Sequence, residues 1–174
     1  MLKNFLLLFT LVLVTLNASD KIEIYATSII ASEKMVNARD GVTVVYKEYY
    51  LSAKEATYNK KSGALELFGN VKASYRDNYK ILGDHAYLNL AKKEKSFYPF
   101  YMLDTSLNVW ISAKKGLAKD KDIEIKSGIL SGCDQKNPLW KMQFSSSKYD
   151  YDTKWLDLYN TTLYIYDIPV FYIP

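Results

Sequence analysis

The sequence has very few of the residues that catalytic and metal sites use most. It contains one histidine, His85, and one cysteine, Cys133, in 174 residues. General bases are most often His, and metal sites need several ligands close together, so neither kind of site is indicated. Within a repeated segment described below, His85 corresponds to Glu55 and Lys115, so we interpret it as a solvated or rim residue. We expect no enzymatic activity, no cofactor and no metal site.

Glycine and proline are also scarce, with 7 and 4 residues, which excludes collagen-like and low-complexity chains. No segment keeps a helical apolar pattern for three turns, and the aromatic content of 15%, including 16 Tyr, favours strands. The net charge of +4 is spread along the chain and does not form a basic cluster, so nucleic acid is not an expected partner. An all-β fold is therefore the first expectation.

The longest apolar run, from Phe5 to Leu16, is shorter than the roughly 20 residues that a membrane-spanning helix needs. Lys3 precedes this run, and the small residues Ala18 and Ser19 follow it. This pattern is typical of a secretory signal peptide, which we assign to residues 1–19. We expect the rest of the chain to be exported.

Short segments in which apolar and polar residues alternate recur along the exported part, for example Val42-Thr43-Val44 and Ile123-Glu124-Ile125. A period of two indicates strands with one sheltered face. Clusters such as Asp40-Gly41 separate these segments and have the composition of turns. The acidic pairs Asp120/Asp122 and Asp150/Asp152 are interpreted as exposed turns and not as calcium sites, because no ligand-rich loop follows them.

Three segments beginning at Leu51, Ile81 and Ile111 resemble one another at a constant spacing of 30 residues, and a weaker copy begins at Met142. A fixed period indicates stacked, nearly identical structural units. With about two strands in each unit, the sequence predicts a β-jelly roll, an elongated two-sheet sandwich of repeats of about 30 residues.

The sheltered face of these strands should be apolar, and two interpretations of it remain open. The residues could form an ordinary core, or they could line a groove for hydrocarbon, because both environments require the same residue types. The candidate groove residues are Val42, Val44, Leu65, Leu67, Val71, Val109, Ile111, Ile123 and Ile125.

Two further features have alternative interpretations. Cys133 cannot form a disulfide within the chain, so it is either a buried free thiol or half of a bond to another chain or segment. The basic segment Lys92–Lys95 is most simply a solvated turn, with contact to anionic head groups as the alternative.

Three features together resemble the LptD family of lipopolysaccharide-assembly proteins, also called organic solvent tolerance proteins. Residues 21–130 resemble the periplasmic jelly roll of that family. Cys133-Asp134, followed by Asn137-Pro138 and Trp140, is similar to the cysteine motif after the jelly roll. The last residues, 168–174, are similar to the segment that leads into the family's outer-membrane β-barrel.

The resemblance implies lipopolysaccharide transport and assembly at the periplasmic face of the outer membrane of a Gram-negative bacterium. In the family, the jelly roll receives lipopolysaccharide from a periplasmic jelly-roll bridge protein, joined by β-strand addition, and guides its acyl chains toward the barrel and its plug lipoprotein. The implied organisation is a signal peptide (1–19), a jelly roll (20–132), and a cysteine motif with the segment leading into the barrel (133–174). Cys133 would bond to a cysteine of the barrel, which this chain lacks, so we expect a truncated product, the product of a split gene, or a fragment.

The alternative function is that of a stand-alone periplasmic protein that bridges or scaffolds by edge-to-edge association without carrying lipid. This alternative needs the same strands but no groove.

Overall fold

The structure is a computed structural model that describes residues 21–75, 78–119, 122–150, 153 and 155–174. The predicted signal peptide and residues Asp120 and Asp152 of the acidic pairs lie outside the described residues. The described part contains strands and turns, and no helix in it is long and apolar enough to cross a bilayer. The strands are β1 (Ile22–Tyr25), β2 (Ser28–Ala31), β3 (Met35–Arg39), β4 (Val42–Tyr46), β5 (Tyr49–Ala53), β6 (Glu55–Asn59), β7 (Ala64–Tyr75), β8 (Tyr79–Asn89), β9 (Glu94–Tyr98), β10 (Phe100–Asp104), β11 (Val109–Lys119), β12 (Asp122–Ser131), β13 (Trp140–Asp150), β14 (Leu156–Tyr159), β15 (Thr161–Ile165) and β16 (Ile168–Ile173).

These strands pair antiparallel in one continuous sheet that is folded so that its two halves face each other. The β1–β16 half runs in the order β1-β4-β5-β7-β8-β10-β11-β12-β13-β15-β16. The β2–β14 half runs in the order β2-β3-β6-β7-β8-β9-β11-β12-β13-β14. The strands of 10 to 12 residues, β7, β8, β11, β12 and β13, belong to both halves, and their middles form the crease.

Backbone irregularities mark the crease. In β7 the register with β8 shifts between Phe68 and Val71, and between them Gly69 and Asn70 have φ angles of 75° and 50°. In β12, Ser127 has a φ of 53°. Bulges with a left-handed residue bend a strand and increase its twist. The long strands can therefore pass from one half to the other without breaking.

Two glycines beside the crease leave space for aromatic rings. A Cβ atom on Gly116 would lie 2.5 Å from Cδ2 of Phe100, and one on Gly128 would lie 2.3 Å from Cζ of Phe144. Both rings are buried. The rings thus occupy the positions that side chains on these strands would otherwise take, and they fill the angle between the halves.

One row of directly opposed residues crosses the whole β1–β16 half on its inward face. Leu51, Ile81, Ile111 and Met142, the first residues of the four sequence copies, all lie in this row, which confirms the predicted stacking of repeats. From one edge to the other the row consists of Ile24, Val44, Leu51, Ala73, Ile81, Met102, Ile111, Leu130, Met142, Leu163 and Phe171.

Inward residues of both halves form a single apolar core. Alternation is as predicted: Val42 and Val44 are buried on either side of exposed Thr43. Asp40-Gly41 forms the predicted turn between β3 and β4, with φ angles of 62° and 85°. The fold is the predicted all-β jelly roll. The sheet continues from β12 into β13–β16, so the division after residue 132 does not interrupt it and stays a prediction.

Gly128→Ala tests the packing at the crease. The new Cβ would overlap the Phe144 ring, so we expect a loss of about 1–3 kcal/mol in the free energy of unfolding, measured by urea denaturation. The exposed change Glu124→Ala on the same strand is the control and should cost less than about 0.5 kcal/mol. In a chain that already carries Phe144→Leu, Gly128→Ala should cost less than it does in the unmodified chain, because the phenyl ring that the new Cβ would overlap is gone. Equal losses for Gly128→Ala and Glu124→Ala would contradict this account.

Candidate functional site

The nine candidate groove residues all lie on described strands, and all point into the folded sheet. Eight are buried, and Val109, at the start of β11, is half-buried. The outward neighbours Thr43 and Glu124 are exposed. The sequence pattern therefore identified the inward face correctly, but the structure divides these residues into two groups with different surroundings.

The first group fills the interior around β4 and the first part of β7. Its members are at most 1% exposed and belong to the closed core: Val42, Val44, Leu65, Leu67 and Val71. None of these five side chains lines the cavity described next, and their close packing leaves no room for a ligand among them without rearrangement. This group fits the ordinary-core interpretation.

The second group consists of Val109, Ile111, Ile123 and Ile125, which line a cavity of about 480 Å³ between the two halves. A volume of this size and an apolar lining are typical of sites for small amphiphiles. We call this cavity the slot cavity. It fits the groove interpretation, and binding of lipid by these residues stays a prediction.

Sequence reasoning missed several other residues that line the slot cavity. Met102 and Leu130 lie in the inward row described above. On the β2–β14 half, Tyr149 lies opposite Ile123, and Leu156 lies opposite Tyr149. The signal that could have found them is cross-strand register, since residues opposite a known inward residue face the same side. The remaining lining residues are Tyr79, Asp104, Ser106 and Leu107.

A smaller cavity of about 40 Å³ adjoins the slot cavity, and Tyr79, Met102 and Ile123 line both. Above this smaller cavity, a side chain of one half contacts a side chain of the other half. The ammonium of Lys95 in β9 donates a hydrogen bond of 2.9 Å to the hydroxyl of Tyr49 in β5, and it lies 4.6 Å from the centroid of that ring. The rings of Tyr49 and Tyr75 stack at 4.5 Å. These contacts close the rim opposite the crease at this point.

Cys133 is a free, half-buried thiol in the connection between β12 and β13. Its backbone is fixed: the indole of Trp110 donates to the Cys133 carbonyl oxygen at 2.7 Å, and the Cys133 amide donates to Oγ of buried Ser131 at 3.0 Å. Tyr101 stacks on Trp110, and partial burial raises the pKa of Tyr101 above its ordinary value of 10.0. The structure thus presents the thiol from an ordered connection, and a partner elsewhere stays a prediction.

His85 lies on the outer surface of β8, away from the slot cavity. Its Nε2 atom is 3.6 Å from Oε2 of Glu66, and its ring is 4.8 Å from the ring of Phe68. Both His85 and Glu66 are partly exposed. The residue therefore occupies a surface position, as the comparison of repeats suggested.

The chain is similar to known proteins in sequence and in structure. No protein-family model matches the chain. Among curated proteins, the LPS-assembly protein LptD of Pseudomonas fluorescens is 30% identical over 129 residues, which cover 71% of this chain and 13% of that protein. The chain is LptD-like. The resemblance inferred from the sequence is thereby confirmed, although the LptD-like chain spans much less than the length of this relative.

A solved structure is similar to the LptD-like chain at lower identity. It is the crystal structure of LptH from Pseudomonas aeruginosa, described as the LptA-homologous periplasmic component of the lipopolysaccharide transport device. The similarity covers 80% of this chain and 82% of that chain, at 12% sequence identity and a TM-score of 0.33.

A matched pair of leucine substitutions tests the division of the interior into a filled part and a slot cavity. Leu65→Ala, in the filled part, should lower the free energy of unfolding by about 2–5 kcal/mol. Leu156→Ala, at the half-buried wall of the slot cavity, should cost about 1 kcal/mol, because existing space already surrounds that side chain. Urea denaturation measures both values. If Leu156→Ala lowers the free energy of unfolding as much as Leu65→Ala does, the side chains around the slot cavity are packed as tightly as the core.

Proposed function

We propose that this chain acts in lipopolysaccharide transport and assembly at the outer membrane, as a jelly-roll module that shelters acyl chains. In this proposal the chain receives lipopolysaccharide from a periplasmic bridge protein and guides its acyl chains toward a β-barrel. The observation that supports this proposal most strongly is the slot cavity, which lies beside the continuous row of apolar inward residues. The sequence similarity to LptD supports the same function.

The slot cavity suits this task because transfer of an acyl chain through the periplasm requires shelter from water and no change in covalent bonds. Each CH₂ group removed from water contributes about 0.8 kcal/mol. Side chains such as Ile111, Ile123 and Leu130 offer an apolar surface without fixed polar partners, so hydrocarbon can shift along it. We therefore propose a non-enzymatic role without a cofactor.

The edges of the folded sheet suit partners that add strands. Within the described residues, β1 pairs with β4 alone and β16 pairs with β15 alone. All six residues of β16 are exposed, including Val170 and Phe171. Unpaired edges are templates for strand addition. We propose that one edge joins the jelly roll of the bridge protein, and that the β16 side faces the barrel and its plug lipoprotein.

In this proposal the chain lies at the periplasmic face of the outer membrane. It also gives Cys133 a role, since an ordered, half-buried thiol beside the last four strands is positioned for a disulfide with a segment outside the chain. A disulfide would hold the jelly roll and its neighbour in one orientation.

The scaffold alternative is favoured by the filled part of the interior. Val44, Leu65 and Leu67 are fully enclosed, which leaves no passage for an acyl chain near β4 in this conformation. A protein that only associates through its edges would have such an interior along its whole length. The slot cavity is the observation that favours lipid carriage over this alternative.

Photocrosslinking distinguishes the two functions. A photoreactive residue at Val109 or Leu156, on the wall of the slot cavity, should capture lipid A added to the folded chain. The same residue at outward Glu124 or Lys126 should capture several-fold less, because those positions face water. Mass spectrometry of the crosslinked chain measures the yield. No capture at any of the four positions would support the scaffold function.

A further inference from the structure

One inward row of the β2–β14 half contains an unexpected charge. The row is formed by residues that lie directly opposite one another on successive strands. Its other members are apolar or aromatic, and Lys95 is its one charged member. The row consists of Val36, Tyr58, Leu65, Leu88, Lys95, Ala118, Ile123, Tyr149 and Leu156.

The hydrogen-bond partner of the Lys95 ammonium is a neutral group. In the part of the chain that the structure describes, the ammonium forms no ion pair with a carboxylate, and its polar contact is the hydroxyl of Tyr49. A phenol and an aromatic face stabilise a cation only modestly, by comparison with an anionic partner. An inward-facing cation with such a partner retains the capacity to bind an anion.

Lys95 lies beside the slot cavity and does not line it. It lines the small cavity, which shares Tyr79, Met102 and Ile123 with the slot cavity. A ligand whose hydrocarbon occupies the slot cavity would therefore have its polar end within reach of Lys95. The geometry matches an amphiphile that carries a negative charge at one end.

Neighbouring residues add positive charge around the same opening. Lys92 and Lys93 lie in the turn that leads into β9, and both are exposed. Lys47 follows β4 on the facing half, with its ammonium 5.5 Å from the centroid of the Tyr46 ring. The Lys92–Lys95 segment is the one for which the sequence left open a contact with anionic head groups.

Three acidic residues share an outer pocket with Lys95: Glu94 pairs with Lys119 at 3.1 Å, Asp122 pairs with Lys148 at 3.0 Å, and Glu124 is exposed. They balance the lysines of the Lys92–Lys95 segment only in part, and the remaining positive charge favours an anionic ligand over a neutral one.

We propose that Lys95 binds the phosphate group of an amphiphile whose hydrocarbon occupies the slot cavity. This inference rests on the proposed lipid-carrying function and adds a specificity-determining residue to it. On binding, the ammonium exchanges the Tyr49 hydroxyl for phosphate oxygens, and the rim between β5 and β9 opens at that point. An ammonium is a suitable phosphate ligand because it acts as a compact point charge with three donors.

Two ligands with the same acyl chain test the proposal on the full chain. One is 1-oleoyl lysophosphatidic acid, and the other is 1-monoolein, which lacks the phosphate. Each is titrated below its critical micelle concentration against the chain loaded with the uncharged fluorescent probe N-phenyl-1-naphthylamine, and displacement gives the affinity. Inorganic phosphate alone should displace no probe, because it has no hydrocarbon to enter the slot cavity.

The variants separate charge from packing. Lys95→Met keeps the length of the side chain and should weaken binding of lysophosphatidic acid about tenfold, with less than about a twofold change for monoolein. Lys95→Arg should restore most of the affinity for lysophosphatidic acid. Lys126→Met, at an exposed outward position of β12, is the control and should change neither affinity by more than about twofold.

Tyr49→Phe tests whether Lys95 binds an anion or only joins the two halves of the sheet. It removes the hydroxyl that holds Lys95 and keeps the ring, so lysophosphatidic acid should bind as tightly as in the unmodified chain or more tightly. A loss as large as that of Lys95→Met would show that the pair only holds the rim together, and this would overturn the proposal.

The remaining outcomes separate this inference from the proposed function. If the unmodified chain binds monoolein but shows no preference for the phosphorylated ligand, or if Lys95→Met weakens both ligands equally, the role of Lys95 is wrong and lipid carriage stands. If the unmodified chain binds neither the probe nor either ligand, lipid carriage fails, and the inference fails with it.

Discussion

Cross-strand register is the constraint on which the rest of the structure depends. The inward row from Ile24 to Phe171 crosses eleven strands, and every member is apolar. A slip of one residue between any two strands would turn the inward side chains beyond that point toward water. The two halves of the sheet can cover each other only while this register holds, so both the core and the slot cavity follow from it.

Much of the fold could be predicted because it depends on local and periodic properties of the sequence. Alternation at Val42–Val44 and Ile123–Ile125 specifies strands and their inward faces without knowledge of any partner. The spacing of Leu51, Ile81 and Ile111 specifies stacked units, since residues one unit apart must occupy equivalent positions in a regular stack. The sequence motifs also led to the LptD family, which the identity of 30% supports.

The candidate site was predicted only in part, because it depends on what lies across the interior. Leu65 and Ile123 each begin an apolar-Glu-apolar alternation, and both lie in the same inward row of the β2–β14 half. Leu65 is nevertheless enclosed in the core, whereas Ile123 lines the slot cavity. The difference arises from the side chains that face them from the other half. Lys95 was placed in a basic turn segment, and only its register opposite Leu88 and Ala118 shows that it faces inward. The crease also has no clear periodic signal, since it depends on a bulge in β7 and on a left-handed residue, Ser127, in β12.

The two long sides of the folded sheet differ in how they are held. At the crease, five strands continue through the bend, so separation there would require breaking covalent chains. At the opposite rim, side-chain contacts such as the one between Lys95 and Tyr49 join the halves. The interior is therefore closed by continuous backbone at the crease, and by side-chain contacts that can separate at the opposite rim. Opening of the rim would therefore uncover the slot cavity from the side while every strand pair in the sheet stays intact.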